Sequence, residues 1–275
     1  MKALLGDYPG TAALKRGEIR SDSVRLEFAD VRPPSAGFKR VVRDLEFEVA
    51  ELAITTFLMA KAAGKPLRLL PAVVVGRLQH PLLVYNTERG PLAPRDLAGR
   101  RVGVRSYSVT TGMWLRGILA EDHGVDPDRV TWVTFEEAHV AEFRDPPNVE
   151  RAAPSKDVVA MLLAGEIDAA VVGDGKPADP RLRPLIPDAE AAARAWQRRT
   201  GAIQINHMVV VKDSVPRAVA DEVSRLLAAS IQAAGNPEMN PHGLEANRRN
   251  LEVAIDYVHR QRLIPRRYAL EELFA

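Results

Sequence analysis

Short runs of aliphatic and β-branched residues alternate along the chain with segments whose apolar residues recur every three to four positions. The clearest unit is a strand predicted at 101–104, followed by a helix with Ser108 as its N-cap and Gly124 at its end. The helix carries apolar residues at the 3.6-residue period: Trp114, Leu115, Ile118 and Leu119. This succession of strand and helix is the repeating unit of an α/β protein.

The same alternation continues towards the C-terminus. Strands are predicted at 130–134, 167–172 and 208–211. Helices are predicted after Ser155, which is a plausible N-cap, and over 216–234 and 244–262. Because helices separate the strands, a mostly parallel α/β layout is expected.

Two segments are candidates for crossings between two lobes, one near 82–90 and the other near 200–207. If the chain crosses at both, residues 1–87 and 206–275 form one lobe and residues 88–205 form the other. We therefore expect a two-lobed α/β protein with a hinged cleft, which is a preferred place for a small-molecule site.

Composition narrows the function classes. The chain has 275 residues, of which 38 are basic and 36 are acidic, so its net charge is only +2 and nucleic acid is a poor candidate partner. It has no cysteine, which excludes disulfides, thiolate zinc sites, iron–sulfur clusters and a cysteine nucleophile. A small molecule is the expected partner, and the oligomeric state is not indicated.

The N-terminus does not read as a secretory signal. The apolar run after the basic start is broken at once by Gly6, Asp7, Tyr8 and Pro9, whereas a signal needs about 7–15 continuous apolar residues. No later run reaches the roughly 18 apolar residues of a membrane span. We expect a soluble, cytoplasmic protein with no membrane partner.

Arg77 and His80 are spaced three apart after an apolar run at 67–75. An arginine fork matches a carboxylate in two-point geometry, and a histidine with a pKa of about 6.5 is a candidate general acid. The alternative interpretation is a solvated arginine and a histidine that bonds a backbone carbonyl.

Two further features have a ligand interpretation and a structural one. A set of hydroxyl side chains surrounds the start of the helix after 101–104, where helix N–H groups attract anions, although capping alone explains some of them. These residues are Ser106, Tyr107, Ser108, Thr110 and Thr111. Glu51 lies in an apolar stretch, so it needs a partner: a ligand hydroxyl, a metal or the next helix's N-terminus.

Other candidates follow predicted strands or crossings. Asp7, Tyr8, Asn206 and His207 are expected to face the cleft, as is Asp174 at the carboxyl end of a strand. Histidine spacing of the HExxH kind is absent, so a metal site would need ligands from distant segments, and its ligands are unknown. Trp114 is expected in the core and Arg116 in an ion pair. Three histidines are expected at the surface: His123, His139 and His242.

A series of motifs runs through most of the chain in a fixed order. They are GDYPGTAALKRGEI (6–19), FEVAELAITTFLMA (47–60), RLQHPLLVYN (77–86), DLAGRRVGVRSYSVTTGMWLRGIL (96–119), LLAGEIDAAV (162–171), TGAIQINHMVVV (200–211) and HRQRLIPRRYALEELFA (259–275). In these motifs the chain resembles the 4,5-dihydroxyphthalate decarboxylase-like family of the periplasmic-binding-protein type II superfamily. Two departures are Gln79, where that family has a second arginine, and a shortened segment at 234–243.

The resemblance implies decarboxylation of a hydroxylated aromatic acid in the inter-lobe cleft, with His80, Arg77 and Glu51 as catalytic residues. It implies no organic cofactor, while a divalent metal is a possible Lewis acid. Two alternatives stay open. One is a non-catalytic solute-binding protein for a small organic anion, and the other is a different small-molecule enzyme, of menaquinone or thiamine-precursor biosynthesis, on the same scaffold.

Overall fold

A computed structural model describes residues 1–173 and 179–275. The chain divides into two compact units. Unit 1 comprises Met1–Arg77, His139–Glu142 and Ala202–Ala275, and unit 2 comprises Leu78–Ala138 and Phe143–Gly201. Within the described ranges, no helix combines the length and apolarity needed to cross a bilayer.

The strands of the described residues range from two to ten residues in length. In chain order they are β1 (Lys2–Leu4), β2 (Glu27–Phe28), β3 (Val49–Ala53), β4 (Leu67–Gly76), β5 (Leu83–Asn86), β6 (Arg101–Val104), β7 (Thr131–Thr134), β8 (Val149–Arg151), β9 (Ala169–Val171), β10 (Leu182–Pro184) and β11 (Ile205–Lys212).

The α-helices lie between these strands and after the last one. They are α1 (Pro9–Lys15), α2 (Phe38–Arg43), α3 (Ile54–Ala62), α4 (Thr110–His123), α5 (Val158–Ala164), α6 (Ala189–Thr200), α7 (Arg217–Ala233) and α8 (Leu244–Arg260). Short 3-10 helices add Pro34–Gly37, His80–Leu82, Thr87–Arg89, Pro94–Leu97, Pro127–Arg129 and Leu270–Leu273.

Unit 1 is built on a five-stranded sheet in the order β2-β1-β3-β11-β4. β1 runs parallel to β2 and β3, while β11 runs antiparallel to both of its neighbours, β3 and β4. Valines and leucines of the sheet pack against α1 and α7 in one core, which includes Val49, Val209, Leu226 and Leu227. The carboxyl ends of β1, β3 and β4 therefore lie at the same edge of the sheet as the start of β11.

Unit 2 has a six-stranded sheet in the order β10-β5-β9-β6-β7-β8. The four strands β9, β6, β7 and β8 are parallel, as the alternation of strands and helices predicts, and β5 is antiparallel to both β9 and β10. α4 follows β6 directly, so its N-terminus lies beyond the carboxyl end of a parallel strand, where ligands commonly bind in such sheets.

The crossings predicted from the sequence differ from the observed division. The predicted boundary after residue 87 is too late, because β5 pairs with β9 and β10 and so belongs to unit 2, which begins at Leu78. The segment His139–Glu142 belongs to unit 1, although its neighbours on both sides belong to unit 2. The second boundary falls at Gly201, a few residues before the predicted one.

Helix ends were predicted with mixed success. Gly124 ends α4 in the left-handed conformation (φ 65°), as expected of a glycine stop. Ser108 is not the N-cap of α4, since the helix begins two residues later, with Val109 at the cap. Ser155 does not cap α5 either: the carboxylate of Asp157 accepts hydrogen bonds from the N–H groups of the first turn.

Candidate functional site

Glu51 is a fully buried carboxylate in the middle of β3. Its Oε2 accepts a hydrogen bond from the Gly6 N–H. Its Oε1 accepts one from the Tyr8 hydroxyl at 2.8 Å and lies 2.9 Å from Nδ1 of His207. An ionised carboxylate only accepts hydrogen bonds, so these three donors match it and assign the proton of the last pair to Nδ1 of His207. Nε2 is then the His207 nitrogen left to exchange a proton with a ligand.

The sheet topology brings these residues together from three distant segments. Gly6 and Tyr8 follow β1, which is paired with β3, and His207 is near the start of β11 on the other side of β3. His207 is opposite Ala53 in the ladder, so it lies diagonally across from Glu51 on the same face. The predicted site residues Glu51, Tyr8 and His207 therefore form one hydrogen-bonded cluster.

Gly6 is needed for the position of the Tyr8 ring. A Cβ atom at residue 6 would lie 2.5 Å from Cζ of Tyr8, which is closer than atoms of neighbouring groups approach. The pKa of Tyr8 is raised by its burial and by the neighbouring negative charge of Glu51. Tyr8 therefore keeps its proton and donates it to Glu51. The sequence interpretation did not assign Gly6 a role in the site.

Arg77 directly follows β4, and its N–H donates to the carbonyl of Gln204 at 3.3 Å. Its side chain is half-buried, and burial lowers its pKa from the usual high value while the nearby Tyr8 acts in the opposite direction. A guanidinium stays charged in proteins. Arg77 is thus a partly desolvated cation close enough to Tyr8 for electrostatic interaction.

Asp7 does not join this cluster. Its exposed carboxylate forms ion pairs with Lys15 at 2.5 Å and with Arg32 at 3.5 Å. The hydrogen bond from Lys15 is the main reason that the pKa of Asp7 is lowered. The charge of Asp7 is therefore compensated by two cations at the surface, and its expected role in ligand binding stays a prediction.

Asn206 occupies an irregularity in the ladder between β11 and β4. Ile205 is opposite Gly76 and His207 is opposite Val75, so Asn206 is an extra residue on its strand. Its side chain is 4% exposed, and its Oδ1 has no hydrogen-bond donor within the described ranges. Bulges of this kind often occur beside binding sites, and a buried acceptor of this kind is unusual unless a ligand or water completes it.

In unit 2, most of the predicted hydroxyl residues do surround the start of α4. Thr110 and Thr111 are its first two residues, and the hydroxyls of Ser106 and Ser108 lie 3.4 Å apart in the preceding loop. All four side chains are buried. Val109 supplies no side-chain cap to this helix, so the arrangement suits an anion at the helix start.

Tyr107 packs among other aromatic side chains and is almost fully buried, and its expected role as a ligand contact stays a prediction. Its ring stacks on Phe143, is edge-on to Trp132 and is covered by the guanidinium of Arg116 at 3.9 Å. Arg116 is fully buried with its guanidinium over these rings, and it interacts electrostatically with the acidic Asp145, a pairing of the kind predicted for it. Separately, Trp114 is core, as predicted.

His80 begins a 3-10 helix in unit 2 and is 1% exposed. Burial is the main cause that lowers its pKa to about 4, and the nearby His123 and Arg199 act in the same direction. His80 is therefore neutral at neutral pH, and a neutral imidazole is not a general acid. The neighbouring Gln79 is also fully buried.

The remaining predictions concern metals, histidines and one aspartate. Asp174 lies outside the described residues.

In the part of the chain that the structure describes, no group of three or more His, Cys, Asp or Glu side chains is arranged to hold a metal ion, so a divalent metal has no evident protein ligand set there. His139 was expected at the surface but is 8% exposed, and its Nδ1 lies 3.0 Å from the Thr56 hydroxyl.

Comparison with known proteins identifies the class first. The structure superposes on the periplasmic aliphatic sulphonate binding protein of Escherichia coli with a TM-score of 0.60, covering 100% of this chain and 96% of that one at 13% identity. Residues 37–145 match the family model described as NMT1/THI5 like. The fold is therefore the α/β periplasmic-binding-protein type II fold.

Sequence comparison then identifies the family. The chain is 31% identical over 207 residues to 4,5-dihydroxyphthalate decarboxylase of Pseudomonas putida, covering 70% of this chain and 80% of that protein. It is 27% identical over 230 residues to the enzyme of the same name from Comamonas testosteroni, covering 77% of this chain and 67% of that protein. The chain belongs to the 4,5-dihydroxyphthalate decarboxylase family.

Proposed function

We propose that this protein decarboxylates a hydroxylated aromatic acid similar to 4,5-dihydroxyphthalate, for which its relatives are named. One observation carries the proposal. A fully buried Glu51 bonds both Tyr8 and His207, and Arg77 interacts electrostatically with the same Tyr8. The cluster thus combines a proton carrier, an acceptor for a substrate hydroxyl and a cation for the substrate carboxylate.

Arg77 is assigned to the carboxylate of the substrate. Its guanidinium presents N–H groups in a planar fork that fits two carboxylate oxygens, and partial burial strengthens the interaction because less water competes. Glu51 is the negative charge of the cluster, so a substrate carboxylate is expected to lie on the Arg77 side of it.

The substrate hydroxyls are assigned to the acceptors of the cluster. The Tyr8 oxygen donates its own proton to Glu51 and can still accept a hydrogen bond from a phenolic hydroxyl. Oδ1 of Asn206 is buried and requires a donor, which a hydroxyl provides and an ionised carboxylate does not. These acceptors support a hydroxylated acid over an unsubstituted one.

His207 is assigned as the acid. When the bond between the ring and the carboxylate breaks, its electron pair stays on the ring carbon and CO₂ leaves. The ring carbon takes the proton from Nε2 of His207, which solvent later restores. Glu51 holds Nδ1 and stabilises the imidazolium before the transfer.

This assignment replaces His80, the acid that the motif spacing favoured. His80 is buried, and no carboxylate is among the groups that shift its pKa. At its pKa of about 4, too little of the protonated imidazole is present at neutral pH for His80 to act as the acid. His207 has a carboxylate partner and retains 14% exposure of its side chain, so a ligand can reach it.

A second function, binding without turnover, is favoured by a different observation. Four buried hydroxyl residues surround the start of α4 in unit 2, and this arrangement alone can bind an organic anion. In that case the cluster around Glu51 would have a structural role, and the protein would be a solute receptor.

The test measures binding and CO₂ release with the same hydroxylated benzoates and phthalates, for the wild type, His207→Gln and His80→Gln. Assays are run with and without Mg²⁺, Mn²⁺ or Zn²⁺, because a cation can act as a Lewis acid on the phenolic oxygens. We expect turnover by the wild type, a ~10²–10⁴-fold lower kcat for His207→Gln and a much smaller change for His80→Gln. Tight binding without CO₂ release from any acid would favour the receptor.

A further inference from the structure

Phe38 contacts two imidazole rings in unit 1. It is the first residue of α2 and is almost completely buried. Its ring centroid lies 5.1 Å from that of His207 with an interplanar angle of 77°, and 5.5 Å from that of His139 with an angle of 86°. Both contacts have the edge-to-face geometry that aromatic pairs prefer.

The hydrogen bond to Glu51 alone does not define the ring plane of His207. It holds Nδ1 at 2.9 Å from Oε1, but this single distance still lets the imidazole tilt through coupled changes of χ1 and χ2. Such a tilt would move Nε2, the atom assigned to deliver the proton. The Phe38 ring fills the space beside the imidazole, so it supplies a second restraint that does not act through Nδ1.

Phe38 also contacts His139, and this residue is itself held in place. The Thr56 hydroxyl lies 3.0 Å from Nδ1 of His139, and Nε of Arg43 donates to the His139 carbonyl oxygen at 2.8 Å. Lys65 and Glu142 form an ion pair at 2.6 Å in the same short segment. The segment His139–Glu142 therefore braces Phe38 within unit 1, which explains why these four residues belong to it.

We propose that Phe38, braced by His139, is a positioning residue that fixes the ring plane of His207 and so directs Nε2 towards the substrate. This inference rests on the proposed function for its effect on turnover, but its effect on the His207 ring is independent of any reaction. Phe38 acts through His207 and does not contact the substrate.

The variant Phe38→Leu removes the ring and keeps an apolar side chain. Because misplacement of a reacting group by about 1 Å costs about 10²-fold in rate, we expect kcat to fall by roughly 10–100-fold. KM should change less than about twofold, since Arg77 and the acceptors that bind the substrate are untouched. A matched control is Phe47→Leu, which removes another buried phenylalanine of unit 1, one that contacts Lys2 and Arg40.

The experiment combines kinetics with nitrogen-15 NMR of the histidine rings, where the signals of His207 are assigned by their loss in His207→Gln. Phe38→Leu should shift the His207 ring signals and lower kcat, and Phe47→Leu should do neither. If Phe38→Leu fails to fold, Phe38→Met refills the volume with a flexible side chain and serves in its place. Unchanged His207 signals, or equal effects of the Phe38 and Phe47 variants, would overturn the proposal, and the NMR result stands even if no acid is decarboxylated.

Discussion

Nδ1 of His207 lies 2.9 Å from Oε1 of Glu51, although 156 residues separate the two in the chain. The contact exists because β11 returns from the C-terminal half of the chain and pairs antiparallel with β3. The contact links the imidazole of His207, the proposed proton carrier, to the buried carboxylate of Glu51, and the proposed chemistry depends on this hydrogen bond.

The variant Glu51→Gln tests the hydrogen bond between Glu51 and His207. An amide keeps the shape but presents two N–H donors where the carboxylate accepts from Gly6, Tyr8 and His207, so at least one donor faces another donor. We expect kcat to fall by about 10²-fold or more, and the free energy of unfolding to fall by about 1–3 kcal/mol, the cost of an unsatisfied buried polar group. Steady-state kinetics and urea unfolding measure both.

A matched control for that variant is Glu48→Gln. Glu48 precedes β3 and its carboxylate accepts from the Lys2 N–H and pairs with Lys212 at 3.4 Å, away from Tyr8 and His207. The Glu48→Gln variant should keep kcat within about twofold of the wild type, since an exposed ion pair contributes little to stability. Equal losses in the two variants would show that Glu51 matters only for stability.

Arg77→Ala should weaken the binding of carboxylate ligands. A hydrogen bond to a charged group contributes about 1.5–3 kcal/mol, which corresponds to a roughly 10–100-fold higher Kd. Arg68→Ala, at the other end of β4, removes the same charge where it donates to the Asp213 and Val215 carbonyls. Titration calorimetry should show the loss only for Arg77→Ala. An equal loss of affinity in both variants would indicate that the positive charge attracts the ligand only at long range. Unchanged affinity in both variants would show that Arg77 does not bind the ligand carboxylate.

Stability should depend on pH through His80. Its pKa is about 4 in the folded chain and about 6.5 in the unfolded chain. Below pH 6.5 the unfolded chain takes up a proton that the folded chain does not, so the free energy of unfolding falls as the pH falls towards 4. The contribution present above pH 6.5 is on the order of 3 kcal/mol and is lost across that window.

Urea unfolding at several pH values measures this dependence in the wild type and in His80→Gln, which lacks the titrating group. The difference between the two proteins should be constant above pH 7 and change steadily between about pH 6.5 and 4. A difference that does not vary with pH would mean that His80 is not buried in its neutral form.

The fold was predictable because its signals are local and repeated. Alternating aliphatic runs and 3.6-residue patterns predicted the parallel strands of unit 2 and helices such as α4, α7 and α8. The boundary between units was not predictable, since β5 is assigned to unit 2 only by its pairing with β9 and β10. Ser155 failed as a cap because Asp157, two residues later, is equally able to cap α5, whereas Ser108 failed because α4 begins at Thr110 without any side-chain cap.

The site was predictable in part. Glu51 was recognised because a carboxylate in an apolar run must have partners, but which partners depends on the neighbours of β3 in the sheet. The packing of Tyr107 against Trp132, Phe143 and Arg116 was not predicted, since the sequence does not show which rings an aromatic side chain meets. Phe38 carries no sequence signal, because its role comes from contacts with two histidines far along the chain.

The measurement that tests the central claim most directly is the mass of the product formed from 4,5-dihydroxyphthalate in D₂O. Loss of one carboxyl group as CO₂ leaves a ring carbon that must take one hydrogen from the acid, and in D₂O His207 carries deuterium. We expect the wild type to form 3,4-dihydroxybenzoate with one carbon-bound deuterium after the hydroxyls are exchanged back in H₂O, and His207→Gln to form it far more slowly. Recovery of unchanged 4,5-dihydroxyphthalate, bound but not converted, would contradict this expectation.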